Sequence, residues 1–381
     1  EYHINGTDTM TYAVSYGASD ANVEPIVFWR IAGRLGDTTA SSPTNGWEGQ
    51  IIDSSFFISQ DVIASRNSGK VAVVYTIPSE GEDEGSGERD VAYRESTDMG
   101  ATFGPVINVT NYPADQDGYR AWLESTGLYD SNDNLHLVWP ANTYAAASGD
   151  AVGRTCRVFH WAEQTGVIST VHNAEWDPTG VCGVMDVNSF NARAVSISEC
   201  DGKMYTIWVA ANDPAGGVDD DCSADLGAGR NGNGEIWLSV TGDLDGLAWD
   251  AARNLTNSYT PDCDTIVDGV NDCDSDNWPT MSRYGMDIAA LGISPDSFPE
   301  QVYEVEPDPS FSGTNYLDVL YVNDKAPGLG TTGEETLTRN PIRWFRLPCV
   351  EPVVEANPNL SPREVGFPTY LRHGQDSTFD A

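Results

Sequence analysis

Lysine is nearly absent. Lys70, Lys203 and Lys325 are the only three in 381 residues, and the basic total of 20 faces 58 acidic side chains, so the net charge is 20 − 58 = −38. Clustered Lys and Arg are what grip phosphate, so this balance excludes nucleic acid and an anionic membrane surface as partners. No apolar run approaches the roughly 18 residues of a membrane span, so membrane insertion is not expected. Long helical periodicity is missing, and so are a GxSxG elbow, an HExxH metal motif and a P-loop lysine. The glycine-rich GAGRNGNGE (227–235) follows no Rossmann strand, which speaks against nucleotide binding. The five histidines are scattered, and His136 and His160 fall in expected strands as packed side chains.

The seven cysteines (156, 182, 200, 222, 263, 273 and 349) form no CxxC pair, which argues against zinc. Disulfides in an exported protein fit better. Cys263 and Cys273 are expected to close one loop and Cys156 and Cys182 a second, and an odd count leaves at least one thiol over. The opening at Glu1, with neither Met nor a leader, reads as a processed, secreted or cell-surface form. An acidic, lysine-poor surface suits salty surroundings or bound divalent cations, or serves solubility alone. Asn-x-Ser/Thr sequons at Asn5, Asn108, Asn254 and Asn359 are of a kind that chance produces.

What is present is a repeat. KVAVVYT (70–76), NLHLVWP (134–140) and KMYTIWVA (203–210) each follow a polar turn, with another strand-like run before the turn and a third after a variable acidic or Gly-rich insertion. The aligned aromatics Tyr75, Trp139 and Trp208 are 64 and 69 residues apart. EPIVFWRI (24–31) begins a fainter copy, and residues 278–348 supply another. A four-stranded unit recurring at this spacing is the signature of an all-β propeller. We expect one domain over 1–348 with repeats near 1–58, 59–116, 117–187, 188–274 and 275–348, the first incomplete, in five or six blades. The tail 349–381, or the strand IRWFRLP (342–348), is expected to close the ring on the first blade or to lead into a further region. A tandem of β-sandwiches is the competing fold.

The run Ser96-Thr97-Asp98-Met99-Gly100-Ala101-Thr102-Phe103 resembles the Asp-box, Ser-x-Asp-x-Gly-x-Thr-Trp, of BNR-repeat, sialidase-type propellers, with Phe103 in place of Trp. A second copy, with one extra residue, carries Asp243, Gly246 and Trp249, and in both an Asn-x-Thr-Asn begins five residues past the aromatic, at Asn108 and Asn254. The resemblance covers residues 59–290 and implies a structural turn on the blade periphery. It also implies a possible sialidase-like glycoside hydrolase: an arginine triad, a Tyr–Glu nucleophile pair and an Asp acid/base. Arg30 in WRIAGRL stands where that family has Arg-Ile-Pro, with Ala32 replacing the proline; Arg193 and Arg283 begin later blades; Tyr119, Tyr284 and Tyr303 are candidates for the tyrosine. Nothing in the sequence identifies the nucleophile pair, so the catalytic residues stay unassigned.

Two acidic loops remain. PDCDTIVDGVNDCDSDNW (261–278) carries Asp262, Asp264, Asp268, Asp272, Asp274 and Asp276 and is similar to the aspartate repeat of thrombospondin-type calcium modules. Calcium takes six to eight oxygens, and so many carboxylates repel one another without a cation. Asp219, Asp221 and Asp225 make a second, less regular candidate. The expectation is therefore a secreted, calcium-stabilised propeller with a non-catalytic structural or binding role toward a protein or glycan, able to assemble with further copies. A secreted sialidase-like hydrolase is the alternative. Trp122, Trp161, Trp278 and Trp344 are the aromatics placed to stack on sugar under either reading.

Overall fold

The computed structural model describes residues 2–5, 8–16, 24–33, 46–55, 60–80, 89–113, 116–121, 124–145, 150–174, 192–211, 232–258, 260, 263, 273–287, 315–325 and 340–349. The strands they form pair antiparallel throughout, in five sheets. The chain divides into two compact units, Glu1–Thr170 and Val171–Ala381.

Unit 1 holds the first two sheets and the third up to Thr170, within its last strand. The first runs β1 (Tyr2–Asn5), β2 (Asp8–Tyr16), β3 (Glu24–Ala32), β4 (Glu48–Ser55), each strand pairing with the next. The second runs β5 (Gln60–Ala64), β6 (Val71–Pro78), β7 (Arg89–Ser96), β8 (Ile107–Asn108). In the third, β10 (Thr126–Tyr129), β11 (Leu135–Ala145), β12 (Asp150–Ala162) and β13 (Ile168–Ala174) follow in order, and β9 (Gly118–Ala121) pairs with the far end of β11. β6 shows why its sequence reads as continuous Val, Ala and Tyr: both of its faces are covered. Val71, Val73 and Tyr75 join Tyr12, Phe28 and Val62 in one core, while Ala72 and Val74 join Leu135, Leu137 and Trp139 in another. Period-two alternation vanishes because neither face meets water.

Unit 2 holds the other two. β14 (Ala192–Cys200), β15 (Lys203–Ala211), β16 (Gly234–Val240) and β17 (Arg253–Asn254) form one; β18 (Ser275–Met281) and β19 (Met286–Asp287) pair with β20 (Asn315–Asp324), whose other partner is β21 (Ile342–Pro348). Tyr205, Ile207, Ile236 and Leu238 pack with Leu317, Val319, Phe345 and Leu347 between them.

Two expectations change. The first repeat is not incomplete, since its sheet takes four strands from residues 2–55, and IRWFRLP is β21, the partner of β20 in the last sheet. The tail beyond Cys349 lies outside the described residues. Cys263 and Cys273 do form a disulfide. Cys156 does not supply the second: it is a buried thiol with Sγ 3.8 Å from the Arg157 carbonyl, and Cys182 lies outside the described residues. Instead Cys200 joins Cys349, tying the end of β14 to the end of β21.

Candidate functional site

The turn after β7 is built by its own polar side chains. Ser96 Oγ accepts the Gly100 N–H (2.8 Å), and Asp98 accepts from the Thr102 N–H (2.9 Å), the Thr102 hydroxyl (2.7 Å) and the Ser96 hydroxyl (2.7 Å). Those bonds, Thr102's first, hold the Asp98 carboxyl down at about 2 despite a small opposing desolvation. Gly100 has φ +74°, and a Cβ there would lie 2.6 Å from the Phe28 ring, which Phe103 meets edge-on at 4.8 Å. In the second copy Gly246 also has a positive φ, Asp243 accepts the Asp245 N–H (3.0 Å), and the Trp249 indole N–H donates to the Gly246 carbonyl (3.1 Å). Each of these groups serves the turn.

The Asn-x-Thr-Asn segments repeat more closely still. The Thr110 and Thr256 hydroxyls accept the Val91 and Ile236 N–H groups and donate to Asp90 and Glu235, both fully buried. The Tyr112 and Ser258 N–H groups donate to the same two carboxylates, and Asn111 and Asn257 take φ values of +42° and +43°.

Of the nine carboxylates expected to hold calcium, Asp262, Asp264, Asp268, Asp272, Asp219, Asp221 and Asp225 lie outside the described residues. Asp274 pairs with the Lys325 ammonium and has Arg343 Nη2 3.7 Å away. Asp276 is enclosed: its Oδ1 accepts from Asn323 (2.7 Å), and its Oδ2 lies 2.7 Å from Ser258 Oγ, itself 3.3 Å from Glu235 Oε1. Burial pushes the Asp276 carboxyl up, against the pull of Asn323 and Ser258. The Ser258 hydroxyl thus lies between the Asp276 and Glu235 carboxyls and can donate to either. Protein groups already meet Asp274 and Asp276, so these two do not fit a shared ion. Among the described residues, the one metal-sized grouping of His, Cys, Asp and Glu is Cys200, Asp201 and Cys349, two of which are the disulfide.

The arginines and aromatics separate cleanly. Arg30 is bound to Glu48 at 2.7 Å. The Arg283 carbonyl accepts the Glu199 N–H (2.9 Å). Tyr119 lies beneath the Arg157 guanidinium at 4.3 Å, Tyr284 bridges to Glu199, and Tyr303 is outside the described residues. Trp161 is in the core, Trp344 sits half-buried under Arg346, and Trp122 lies outside the described residues.

Trp278 differs from all of these. It is 55% exposed and has φ +47°, although it is bulky and precedes Pro279. A lone exposed aromatic is ordinary. A tryptophan in the left-handed region is not: such strain costs about 1–3 kcal/mol, persists only where its surroundings impose it, and concentrates at functional sites. The β18–β20 register breaks between Asn277 and Thr280, and the β14–β15 register breaks between Arg193 and Ser196, where Ala194 also has a positive φ. These bulges set Arg193 against Trp278. The Arg193 guanidinium donates to Asn277 Oδ1 (2.6 Å) and lies 5.5 Å from the Trp278 ring centre. Gly234 lets β18 approach, because a Cβ there would meet the Asp276 carbonyl at 2.6 Å and Asn277 Oδ1 at 2.9 Å.

Sequence reasoning missed two groupings. The Tyr75 hydroxyl donates to Asp53 Oδ2 (2.5 Å), with Arg94 Nε 3.7 Å from the same oxygen. Burial, and then the Asp53 contact, push the Tyr75 hydroxyl well up, so at neutral pH it stays protonated and donates to Asp53. His136 and His160 bond to each other inside the third sheet. Neither grouping has a linear signature, since each is assembled from separate strands.

No family model matches the sequence, and no curated protein matches it. Among solved structures it is similar to a thermostable family-43 glycoside hydrolase (12% identity over 91% of this chain and 88% of that one, TM-score 0.41). It is similar also to Trypanosoma rangeli sialidase (12%, 84% of this chain and 43% of that one, 0.39) and to a PL25 ulvan lyase (11%, 89% and 64%, 0.43). Superpositions this loose decide neither the fold nor the chemistry of the present chain.

Proposed function

We propose that this chain is an exported β-propeller, its five sheets serving as blades, that binds a glycan on a platform made by Trp278, Arg193 and Asn277. One observation carries the reading: a tryptophan held in a strained backbone before a proline, more than half exposed, with a guanidinium against its ring. An open indole offers a flat apolar surface to the C–H face of a pyranose, and covering it is favourable at about 25 cal/mol per Å². Arg193, fixed through Asn277, supplies donors for sugar hydroxyl or anionic groups. The test is binding of the full chain to a panel of neutral and acidic polysaccharides, followed by intrinsic tryptophan fluorescence. A wild-type signal that survives Trp278→Ala unchanged would refute the reading.

Cleavage of the bound glycan is the second reading. It is favoured by Asp276, a carboxyl next to the platform that burial pushes up, as a proton donor requires. Its enclosure by Ser258 and Asn323 favours binding without cleavage. Release of reducing ends from a bound polysaccharide, abolished by Asp276→Asn, would move the chain to the hydrolases.

A further inference from the structure

Four side chains of the third sheet form a buried line that the glycan platform does not use. Asp130 follows β10, His136 lies on β11, His160 on β12 and Ser169 on β13. The first three have no exposure and Ser169 has 8%. His136 Nε2 lies 3.4 Å from Asp130 Oδ2, His136 Nδ1 lies 2.9 Å from His160 Nε2, and His160 Nδ1 lies 3.3 Å from Ser169 Oγ.

Hydrogen-bond polarity fixes the protons. Burial pushes the Asp130 carboxyl up, but bonds from His136 and Asn134 outweigh it and hold the group below the usual range, as an acceptor. His136 therefore donates from Nε2, and its Nδ1 accepts from His160 Nε2–H. His160 Nδ1 then accepts the Ser169 hydroxyl. Three protons fill three links in one direction. One added proton is accommodated. It sits on His136 Nδ1 and donates to His160 Nε2; the His160 proton moves to Nδ1 and donates to Ser169 Oγ; that hydroxyl turns to the His160 carbonyl, 3.5 Å away. The added charge offsets Asp130. A second added proton is not accommodated, because both facing nitrogens, 2.9 Å apart, would then carry hydrogens. Two like charges would also stand side by side without water. Among the described residues, the charged groups at this end of the sheet are Lys70, Glu95, Asp133 and Glu163, with Arg66 on the loop whose Asn67 donates to the Asp130 carbonyl. Lys70 lies 3.6 Å from Glu95 and 3.5 Å from Glu163 and donates to the Asp133 backbone carbonyl, while the Asp133 carboxylate accepts from the Ser65 hydroxyl, so negative charge is in excess here and favours the first added proton.

We infer that the Asp130–His136–His160–Ser169 line is an acid-triggered brace, which keeps β10 to β13 together through uptake of one proton and parts on the second. The test uses the full chain labelled with 15N-histidine, with imidazole spectra and thermal melts recorded from pH 9 to pH 4.5. The expected result is one proton taken up by the pair with the fold intact and a second only as folded signals vanish. His160→Gln, which keeps one donor and one acceptor but takes no proton, is expected to melt lower at pH 9 and to lose most of the wild-type sensitivity to acid. Two doubly protonated imidazoles in an intact fold would overturn the inference, as would an acid sensitivity equal in variant and wild type. If His160→Gln does not fold, the wild-type spectra decide alone.

Discussion

Two residues of β18, Asp276 and Trp278, pull in different directions. Trp278 strains the backbone, and a residue kept at such a cost has a use beyond folding. Glycine takes φ +47° without strain, so Trp278→Gly should relieve about 1–2 kcal/mol, less the packing of the covered part of the ring. The expected outcome is an unchanged or slightly raised melting temperature with binding lost; a clear drop would show that the indole supports the fold. Asp276 is the opposite case. Its carboxyl is raised in the fold by burial, so ionising it opposes folding. Wild-type stability should therefore fall as pH climbs past the ordinary carboxylate range near 4. Asp276→Asn has no proton to lose, and Ser258 can turn its hydroxyl to Glu235, so the variant should gain stability over wild type, more at pH 7 than at pH 4. Melts showing the variant weaker at pH 7 would refute this.

At the scale of elements, the outer turns repeat most faithfully. Thr110→Val and Thr256→Val each leave a backbone N–H and a buried carboxylate short of a partner, which should cost about 1–3 kcal/mol apiece by denaturant melts. Asp98 contributes through a lowered carboxyl, so its share is present at neutral pH and lost as pH falls from about 4 toward about 2. Asp98→Asn should remove that acid-range slope, and an unchanged slope would place the effect elsewhere. These turns were legible because side chain and backbone lie within a few residues of each other: the Ser-x-Asp-x-Gly spacing and the Asn-x-Thr-Asn that follows encode their own bonds. The strands were legible where they are covered on both faces, as in β6. The first sheet was harder to read because β4, EGQIIDSS, has Ile51 and Ile52 as its only apolar side chains and buries only Ile52 and Ser55. The Cys200–Cys349 bridge spans 149 positions, and no local pattern announces it. Trp278 before a proline reads as extended chain, so its left-handed backbone, and with it the platform, became visible only in the structure.

For the whole molecule the dominant quantity is a net charge of −38. Lys70 and Lys325, two of its three lysines, are committed to internal acidic partners and leave the surface charge uncompensated. Added monovalent salt should therefore raise the melting temperature by screening self-repulsion. If calcium braces the 261–278 loop, it would draw on Asp262, Asp264, Asp268 and Asp272, since Asp274 and Asp276 have protein partners. A chelator should then lower the melting temperature at constant ionic strength, and Asp268→Asn with Asp272→Asn should abolish that shift. An absent chelator effect with no bound calcium in the purified chain would leave screening as the only role for cations.

The central claim is that the Trp278 platform binds a glycan. Its most direct test is titration of wild type and Trp278→Gly, in parallel, against a panel of neutral and acidic polysaccharides, with melting temperatures recorded on the same samples. The account predicts saturable binding by wild type to at least one member of the panel, and none by a variant that melts no lower. Binding of equal strength by both proteins, or by neither, would contradict it.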